Sequence, residues 1–554
     1  MTRKMRYRIM RKKINRINNT LQPFSIKKEL YRYLTDFPFM LCLCITALLM
    51  YGFFLTHNTI SVDDLAGDRY YNGALFAQGR YTSTIIHKLL GLTNEGAWVL
   101  DLLGVLCLMA SAISLCVLFD RYIRCTDKLP KIVFACLLIS APIYAELFAY
   151  NSCTLSVGGG MLLVSLALLY MTRYLQQGGK RNIAVASVLI AIVTSWYESI
   201  IIIYIGAVFA ILLLQVIQSS QKLPFRALFS QGLVFVIPLI IGVASEFLIQ
   251  TLISLFVDFG IKNYAKNQIA MPEGFGIVDF LTDILFHYVL AGIWYPTIAI
   301  FVVFAVLAVA LCIVYSRKKK TWSIVVLFLG LAFSIFALSF LTLAVQPYRI
   351  SQIIGFFDAF IAYLFVYTLL RCKKHRTFLR KAVLVLSAYI ILFQVSQFNY
   401  WIYWDTVRYE EERNVMIRIA QDLQEFDTSK PVILIGNYVL SENITDHVEV
   451  KKGSLGYKIV SSIPGSPWRD PEHPNPLRIT RSVVTSYISW GVKAFDEPNT
   501  ELHKFWNYLG YSFEQGTMEM YDEAMETIDE MPGWPADGSI VDRGDYIVIR
   551  LGNN

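Results

Sequence analysis

Charged residues are scarce in this chain. They make up 17% of its 554 residues, against about 25% in a typical soluble protein. Apolar residues make up 55% and gather in long blocks that carry few charges. A helix of about 20 apolar residues crosses the hydrocarbon core of a bilayer and satisfies its own backbone hydrogen bonds there. The shortage of charge therefore excludes an ordinary soluble protein and predicts an integral membrane protein.

Cysteine is absent after residue 372, and all nine cysteines lie within or beside the apolar blocks. The polar C-terminal region therefore has neither a disulfide framework nor a cysteine-rich metal site. The pair Cys42 and Cys44 falls inside the first apolar block, a position more typical of a helix interior than of metal ligands.

Eleven apolar blocks have the length of transmembrane helices. They are residues 37–55, 97–119, 132–149, 153–172, 183–195, 199–217, 231–256, 290–315, 322–345, 351–370 and 382–398. The first block lacks a small-residue cleavage site, so we expect a membrane helix there rather than a cleavable signal peptide. The predicted fold is mainly α, a polytopic bundle of about eleven transmembrane helices.

Lysine and arginine are unevenly distributed between the two sets of loops. If the N-terminus is cytoplasmic, the cytoplasmic segments hold 30 of these residues and the outer segments hold six. The positive-inside rule favours this orientation, and an odd number of crossings then puts the C-terminus outside. We expect a basic cytoplasmic arm 1–36, a membrane bundle 37–398 and an extracytoplasmic domain 399–554. The net charge of +8 reflects the basic residues of the predicted cytoplasmic segments, so it does not indicate a nucleic-acid partner.

The predicted cytoplasmic loops lack the residues of a nucleotide site. They contain no Gly-rich phosphate loop and no closely spaced acidic pair, and their only carboxylates are Asp120 and Asp127. We therefore exclude a site for nucleotide triphosphates or nucleotide sugars on this face.

After residue 398 the sequence turns polar. Residues 405–426 repeat apolar positions at helical spacing among many charges, which predicts an amphipathic helix. Short apolar runs at 432–436 and 546–551 predict buried strands. We therefore expect a small α/β domain in this region.

The first outer loop, residues 56–96, contains most of the reactive loop residues. Asp63 and Asp64 follow the first membrane helix, and two adjacent carboxylates near hydrocarbon repel each other and lose hydration. This raises one pKa and produces a usable base. If the stretch is helical, Asp68 shares a face with Asp64, and one carboxylate can deprotonate an acceptor hydroxyl while another orients it. The alternative, which we weigh equally, is a set of solvated acids at a helix end.

Arg80 and His87 lie seven residues apart in the same loop and could share a helical face that meets a phosphate. Alternatively, Arg80 caps the loop or pairs with an aspartate.

Polar residues recur at the outer ends of three other helices. They are Glu146, Tyr150 and Asn151 after the third block, Tyr197 and Glu198 after the fifth, and Tyr348 and Arg349 after the ninth. Aromatic residues at this depth are often interface anchors, whereas charged residues inside a bundle more often serve a site. Their common depth predicts one cavity at the outer leaflet. For Asp101, Glu246 and Asp358, which lie within helices, the sequence leaves a structural role and a site role open.

Several short motifs together resemble the bacterial Gtr-type glucosyltransferases, which decorate O-antigen and related cell-wall polymers. In chain order they are Val62-Asp63-Asp64-Leu65, Gln78-Gly79-Arg80-Tyr81, PIYAELFAY at 142–150, TSWYES at 194–199 with Glu198 where the family has Gln, and MPGWPADGSI at 531–540. The resemblance implies a GT-C-type fold with a soluble domain after the bundle. It also implies a polyprenyl-phosphate-linked sugar, such as glucose on undecaprenyl phosphate, as the donor.

Physical logic favours the same donor, because nucleotide sugars are absent outside the cytoplasm and the sugar must arrive on a lipid. The expected reaction is a single inverting displacement, with Asp63 or Asp64 as the general base and with Arg80 and Arg349 as phosphate contacts. The expected sugar or acceptor contacts are Asp68, Tyr71, His87, Glu146, Tyr150, Asn151, Tyr197 and Glu198. The arginines can hold the charge of the leaving phosphate by charge-assisted hydrogen bonds, so a divalent metal is optional.

The resemblance places the protein in a bacterial plasma membrane, with membrane lipid around it and a cell-surface polysaccharide or wall polymer as the acceptor. Its expected partners are an upstream polyprenyl-phosphate glycosyltransferase and a flippase that supplies the donor.

Two other functions stay open on the sequence. A transporter or flippase for a lipid-linked glycan would use broken helices, for which Gly158-Gly-Gly160 and Pro238 are candidates, but the chain has no inverted repeat. A receptor or scaffold would bind cell-wall polymer with its outer domain.

Overall fold

The structure is a computed structural model that describes residues 24–61, 64, 79–90, 98–255, 276–285, 296–343, 348–371, 376–440, 447–450, 458, 477–480, 486–493 and 498–552. Asp63, Asp68 and Tyr71 lie outside these residues, as does most of the basic arm. For Glu146 and Tyr348 the backbone is described but the side chain is not.

Helices dominate the described chain. In chain order they are α1 Ile26–Leu34, α2 Phe37–Thr56, α3 Tyr81–Leu90, α4 Trp98–Tyr122, α5 Leu129–Ile139, α6 Asn151–Gln177, α7 Lys180–Thr194, α8 Ile201–Gln218, α9 Phe225–Ser254, α10 Ile277–Leu285, α11 Pro296–Lys319, α12 Ser323–Thr342, α13 Ile353–Leu370 and α14 Arg376–Asp422. Within the described residues, nine of them are long and apolar enough to cross a membrane. The chain is therefore a polytopic helical membrane protein, as its composition predicted.

Two of the eleven predicted blocks form shorter helices than the rest. The block at 132–149 contains α5, a 3-10 turn at Pro142–Tyr144 and a single turn at Ala145–Phe148. Pro142 fits the first position of its turn because it has no N–H to donate. The block at 183–195 forms α7, which has 15 residues.

The centre of the bundle is formed by α13 and by the pair α4 and α6, whose side chains are mostly buried. Two glycines allow α4 and α6 to touch, because a Cβ on Gly158 would lie 2.0 Å from the Gly104 carbonyl oxygen. Gly159 and Gly160 pack in the same way against Trp196 and Ile200. The glycine run is thus a packing surface within an unbroken helix, and Pro238 likewise lies inside the continuous α9.

The last membrane helix and the predicted amphipathic helix are one element. The helix α14 runs for 47 residues without a break, so the boundary predicted at residue 399 falls inside it. A helix of this length measures about 70 Å, more than twice the hydrocarbon thickness of a bilayer. Its second half therefore extends beyond the bundle and carries the polar part of the chain.

A small mixed sheet packs on the far half of α14. It has the order β1–β5–β4, where β1 Val432–Ile435 runs parallel to β5 Ile547–Arg550 and β4 Ile540–Asp542 runs antiparallel to β5. Both strands predicted from apolar runs are present in it. A separate antiparallel pair joins β2 His447–Val450 to β3 Leu477–Thr480. The helices that complete this region are α15 Tyr487–Lys493, α16 Thr500–Tyr508 and α17 Met518–Thr527.

A packed core joins the sheet to α14. Met416, Ile419 and Leu423 of α14 pack in one cluster with Val432 of β1 and Trp506 of α16. The Trp506 indole donates a hydrogen bond to the Met416 carbonyl at 2.9 Å, which satisfies its buried N–H. The region after residue 422 is therefore fixed on α14.

Candidate active site

Asp64 is held firmly in the segment that follows α2. Its Oδ2 atom accepts hydrogen bonds from the Ser61 backbone N–H at 2.9 Å and from the Ser61 hydroxyl at 2.7 Å. Only 4% of the residue is exposed. A carboxylate oriented in this way has the geometry to accept a proton from a substrate hydroxyl.

The segment that carries Asp64 is anchored through Thr59. The Thr59 carbonyl accepts a hydrogen bond from Asn151 Nδ2 at 3.1 Å, and the Thr59 hydroxyl donates to Asp405 Oδ2 at 2.7 Å. Asn151 begins α6 and Asp405 lies in α14, and all three residues are buried. The predicted site residue Asn151 therefore positions the Asp64 segment.

Asp405 belongs to a fully buried ionic cluster centred on Arg408. The Arg408 guanidinium donates to Asp405 Oδ1 at 2.8 and 3.1 Å and also pairs with Glu412 one helical turn later. Glu412 in turn accepts hydrogen bonds from the Ser486 hydroxyl at 3.0 Å and from the Ile488 backbone N–H at 3.1 Å. The cluster thus connects the Asp64 segment to the start of α15.

The Tyr487 side chain packs on Arg408 of this cluster. Its ring covers the Arg408 guanidinium, with the guanidinium carbon 3.5 Å from the ring centroid. Burial raises the pKa of the Tyr487 phenol well above its usual value, although the charge of Arg408 acts in the opposite direction. Tyr487 and Ile60 line the same small cavity, so Tyr487 lies beside the segment that leads to Asp64, although it comes from the region beyond the bundle.

Arg80 forms the second part of the site. Its Nη2 and Nε atoms donate to the Glu198 carboxylate at 3.0 and 3.4 Å, and its guanidinium carbon lies 5.0 Å from the centre of the Tyr197 ring. Burial by itself lowers the pKa of Arg80, but the charge of Glu198 more than offsets this and holds the pKa above its usual value. Arg80 is therefore a permanent cation, and Glu198 orients it.

The chain around Arg80 is tied to the end of α7. The Thr82 N–H donates to the Ser195 carbonyl at 3.1 Å, and the two hydroxyls lie 2.6 Å apart. Behind Arg80, Gly79 adopts a left-handed φ of +79° and rests against Gln250 and Glu246 of α9. Contacts with α3, α7 and α9 thus fix the position of the backbone at Arg80.

Arg349 approaches from the start of α13. Its guanidinium carbon lies 5.9 Å from the centre of the Tyr150 ring, and Nη1 makes a long hydrogen bond of 3.5 Å to the Tyr150 hydroxyl. The Arg349 carbonyl accepts from Gln352 Nε2 at 2.5 Å, and Gln352 Oε1 accepts from the Ser199 hydroxyl at 3.2 Å. The Arg349 turn is therefore linked to the turn that carries Glu198.

These contacts bring six of the predicted residues into one place. Arg80 lies over the Tyr197 ring and pairs with Glu198, and Gln352 links the Arg349 turn to Ser199 beside Glu198. Arg349 in turn lies over the Tyr150 ring, and the next residue, Asn151, holds the Thr59 carbonyl of the Asp64 segment. The group that converges is Asp64, Arg80, Tyr150, Tyr197, Glu198 and Arg349. We refer to it as the site end of the bundle.

His87 does not provide a positive charge for a phosphate. It lies in α3 with 4% of its surface exposed, and burial lowers its pKa to about 4. The imidazole is therefore neutral near neutral pH, which leaves Arg80 as the cation of the predicted Arg80–His87 pair.

Sequence reasoning missed the Arg408 cluster and left three acids undecided, of which Asp358 is buried within α13. The spacing of Asp405, Arg408 and Glu412 on a helix was a usable signal, because residues three and four apart share a face. The structure places Asp101 near enough to Asp64 for their charges to interact, and it places Glu246 beside Gly79 and near Glu198. Both acids therefore border the site.

Among the residues that the structure describes, no group of three or more His, Cys, Asp or Glu side chains could hold a metal ion. The cations that border the described part of the site are the guanidiniums of Arg80 and Arg349.

A long groove of about 710 Å³ leads to Arg80 between α7 and α9. Its walls are almost entirely apolar, and they are provided by residues such as Ala184, Val188 and Ile241. It extends from Lys180 at the start of α7 to Thr82 and Ser195 at the other end, next to Arg80. The lining of this groove has the apolar character that a hydrocarbon chain requires.

We expect Gly79→Ala to reduce activity at this site by about tenfold. An alanine at φ +79° is strained by about 1 kcal/mol, and its Cβ would lie 2.9 Å from Gln250 Nε2 and 3.4 Å from Glu246 Oε1. Displacement of the neighbouring Arg80 by a fraction of an ångström weakens a positioned charge.

Gly178→Ala is the matched control, since Gly178 also has a positive φ, +74°, but has nothing within 4 Å and lies far from the site. Equal turnover of the two purified variants would contradict the prediction.

A family model described as glucosyl transferase GtrII matches residues 52–369, which is more than half of the chain. The match includes Asp64, Arg80, Glu198 and Arg349, whereas the Arg408 cluster lies beyond it. No curated protein and no solved structure gives a match.

Proposed function

This chain belongs to the GtrII glucosyl transferase family and is a membrane glucosyltransferase, and we propose that its donor is a glucosyl group carried on a polyprenyl phosphate. The acceptor in this proposal is a polysaccharide or wall polymer on the outer face of the membrane. The reaction is a single displacement that inverts the anomeric centre.

One observation supports a lipid-linked donor: the apolar groove ends beside the residues that follow Arg80. The groove runs along α7 for most of its length, and its polar end contains Thr82 and Ser195. Their hydroxyls lie 2.6 Å apart, and Thr82 follows Arg80 by two residues. A lipid tail can enter such a groove from the bilayer and keep an apolar environment, because the walls are as apolar as the surrounding hydrocarbon. A nucleotide sugar has no group that would occupy such a trough.

The charges at the site end fit the proposed reaction. The Asp64 carboxylate removes the proton from an acceptor hydroxyl, whose oxygen forms a bond to the anomeric carbon of the sugar. The bond from that carbon to the phosphate oxygen breaks, and its electron pair leaves with the polyprenyl phosphate. Arg80 and Arg349 hold the negative charge that develops there.

Two residues complete this assignment. Glu198 fixes the Arg80 guanidinium through its salt bridge, and the Tyr197 ring supports it from one face. A bidentate, stacked arginine is well suited to a phosphate because its donors are held in a fixed plane.

The outer-face location rests on charge distribution. The loops at the end of the bundle opposite to Asp64 carry most of the basic residues, and the positive-inside rule puts such loops in the cytoplasm. The site end then faces outward, where the energy of the sugar transfer must come from the phosphate ester of the donor.

The direct test is transfer by the purified protein in detergent from a synthetic polyprenyl-phosphate glucose to a glycan acceptor. We expect transfer from this donor and none from a nucleotide glucose. Efficient transfer from the nucleotide sugar alone would overturn the proposal.

A variant within the groove tests the lipid tail separately. Ala184 and Ser195 lie eleven residues apart on α7, about 16 Å along the helix. Ala184→Trp should raise the KM for a long-chain donor about tenfold but leave a donor with a tail shorter than this distance unaffected. The short-chain donor thus reports on the folding of the same variant, and an equal loss with both donors would contradict the groove assignment.

A further inference from the structure

A second cavity, of about 340 Å³, lies at the end of the bundle opposite to Asp64. It is enclosed by the loop after α4, the end of α8, the end of α13 and the beginning of α14. The guanidiniums of Arg124, Arg371 and Arg376 line it, together with Tyr367 and Gln218. We refer to it as the basic pocket.

The charges around the basic pocket do not balance. Its only acid among the lining residues that the structure describes is Asp127, which pairs with Arg376 at 3.4 Å and with Arg380 at 3.1 Å. One carboxylate therefore faces two arginines, while Arg124 and Arg371 add two further cations. Arginines that line one cavity repel one another, and an anion bound between them would relieve this repulsion.

Arg371 is oriented by contacts with a neighbouring tyrosine. Arg371 Nη1 donates to the Tyr367 hydroxyl at 3.1 Å, and its guanidinium carbon lies 5.4 Å from the centre of that ring. Tyr367 is buried, so it fixes the direction of Arg371. Lys319, which donates to the Ser219 carbonyl at 2.5 Å, lies near enough for the charge of Arg371 to act on it.

The position of the pocket is that of the lipid headgroups. It opens where four apolar helices end, and Leu370 and Pro130 form its apolar side. Phe378, two residues beyond Arg376 on α14, exposes 70% of its surface. This exposed phenyl ring presents an apolar surface that lipid can cover.

We propose that the basic pocket binds the phosphate group of an anionic membrane phospholipid. Basic pockets between transmembrane helices bind such headgroups, because guanidiniums make paired, charge-assisted hydrogen bonds to phosphate oxygens. Free inorganic phosphate shares this chemistry but has no acyl chains to lie along the apolar ends of the helices. The pocket is independent of the Asp64 site and of the proposed reaction.

The test is binding of phosphatidylglycerol to the purified full-length protein, measured by native mass spectrometry with phosphatidylcholine as the zwitterionic comparison. The pocket variant is Arg124→Gln with Arg371→Gln. The control is Lys222→Gln with Arg226→Gln, which removes the same charge from exposed side chains outside the pocket on the same side of the bundle.

We expect the dissociation constant for phosphatidylglycerol to rise about tenfold in the pocket variant and less than twofold in the control. Phosphatidylcholine should bind all three proteins equally. Equal losses in the two double variants would show general surface charge and overturn the proposal. So would binding of inorganic phosphate, seen as thermal stabilisation of the wild type only, without selective binding of the lipid.

If the pocket variant lowers the melting temperature by itself, Arg124→Gln alone provides the same comparison, because this exposed side chain supports no packing. A threefold rise in the dissociation constant would then support the pocket, and no change would overturn it.

Discussion

Replacing Asp64 by asparagine is expected to lower the rate of sugar transfer by about 10²- to 10⁴-fold, the range that a positioned general base contributes. Asparagine keeps the shape of the side chain, and its carbonyl oxygen can still accept the hydrogen bonds from Ser61. The substitution therefore removes the proton acceptor and leaves the segment in place. The rate is measured at saturating donor, where it reports the chemical step.

Two comparisons make this result specific. Ser61→Ala removes one hydrogen bond to Asp64 but retains the carboxylate, so its loss should stay within about tenfold. The wild-type rate should fall at low pH as the carboxylate becomes protonated, and the residual rate of Asp64→Asn should lack this dependence. A variant that keeps more than a tenth of the wild-type rate would exclude Asp64 as the base and direct attention to Asp63.

The bundle could be predicted from sequence because lipid imposes one simple rule. A backbone in hydrocarbon must satisfy its own hydrogen bonds, so each long apolar block becomes a helix. The blocks at 132–149 and 183–195 form the shorter helices α5 and α7, and α7 packs closely on its neighbour: a Cβ on Gly242 of α9 would lie 2.8 Å from Ile190 of α7. Packing of this kind has no signature in the composition of a single segment.

The candidate site was partly predictable for a similar reason. Polar residues at the ends of several helices share a depth, and depth can be read from the sequence, so Arg80, Glu198 and Arg349 were identified. The sequence did not show which of these residues pair, because the salt bridge between Arg80 and Glu198 joins residues 118 positions apart. His87 has the same depth, yet its neighbours bury it and remove its charge.

The contribution of the polar region to the site was not predictable at all. Tyr487 lies beside the segment that leads to Asp64 because α14 continues unbroken past the bundle and its Glu412 holds the start of α15. The sequence showed a change of composition at residue 399, and such a change suggested a domain boundary. A change of composition does not show whether the backbone stays helical, and α14 is continuous through this position.

The second large effect that we expect comes from replacing Arg408, the cation of the buried cluster that it forms with Asp405 and Glu412. Arg408→Met should destabilise the protein by about 3–5 kcal/mol, because Asp405 and Glu412 would then be buried charges without a cation. Transfer should be lost with it, since Asp405 also accepts the hydrogen bond from Thr59 that anchors the Asp64 segment. Thermal unfolding in detergent and the transfer rate measure the two effects.

A charge-neutral version separates stability from positioning. Combining Arg408→Met with Asp405→Asn and Glu412→Gln leaves no unpaired charge, so most of the lost stability should return. Thr59→Val keeps the shape of the side chain but leaves Asp405 Oδ2 without this donor, so it should cost about 1–3 kcal/mol of stability. It should also lower the rate at saturating donor measured well below the melting temperature, and Thr59→Ser should restore both the rate and the stability. If Thr59→Val instead keeps the full rate, the cluster serves stability alone and the polar region does not position Asp64.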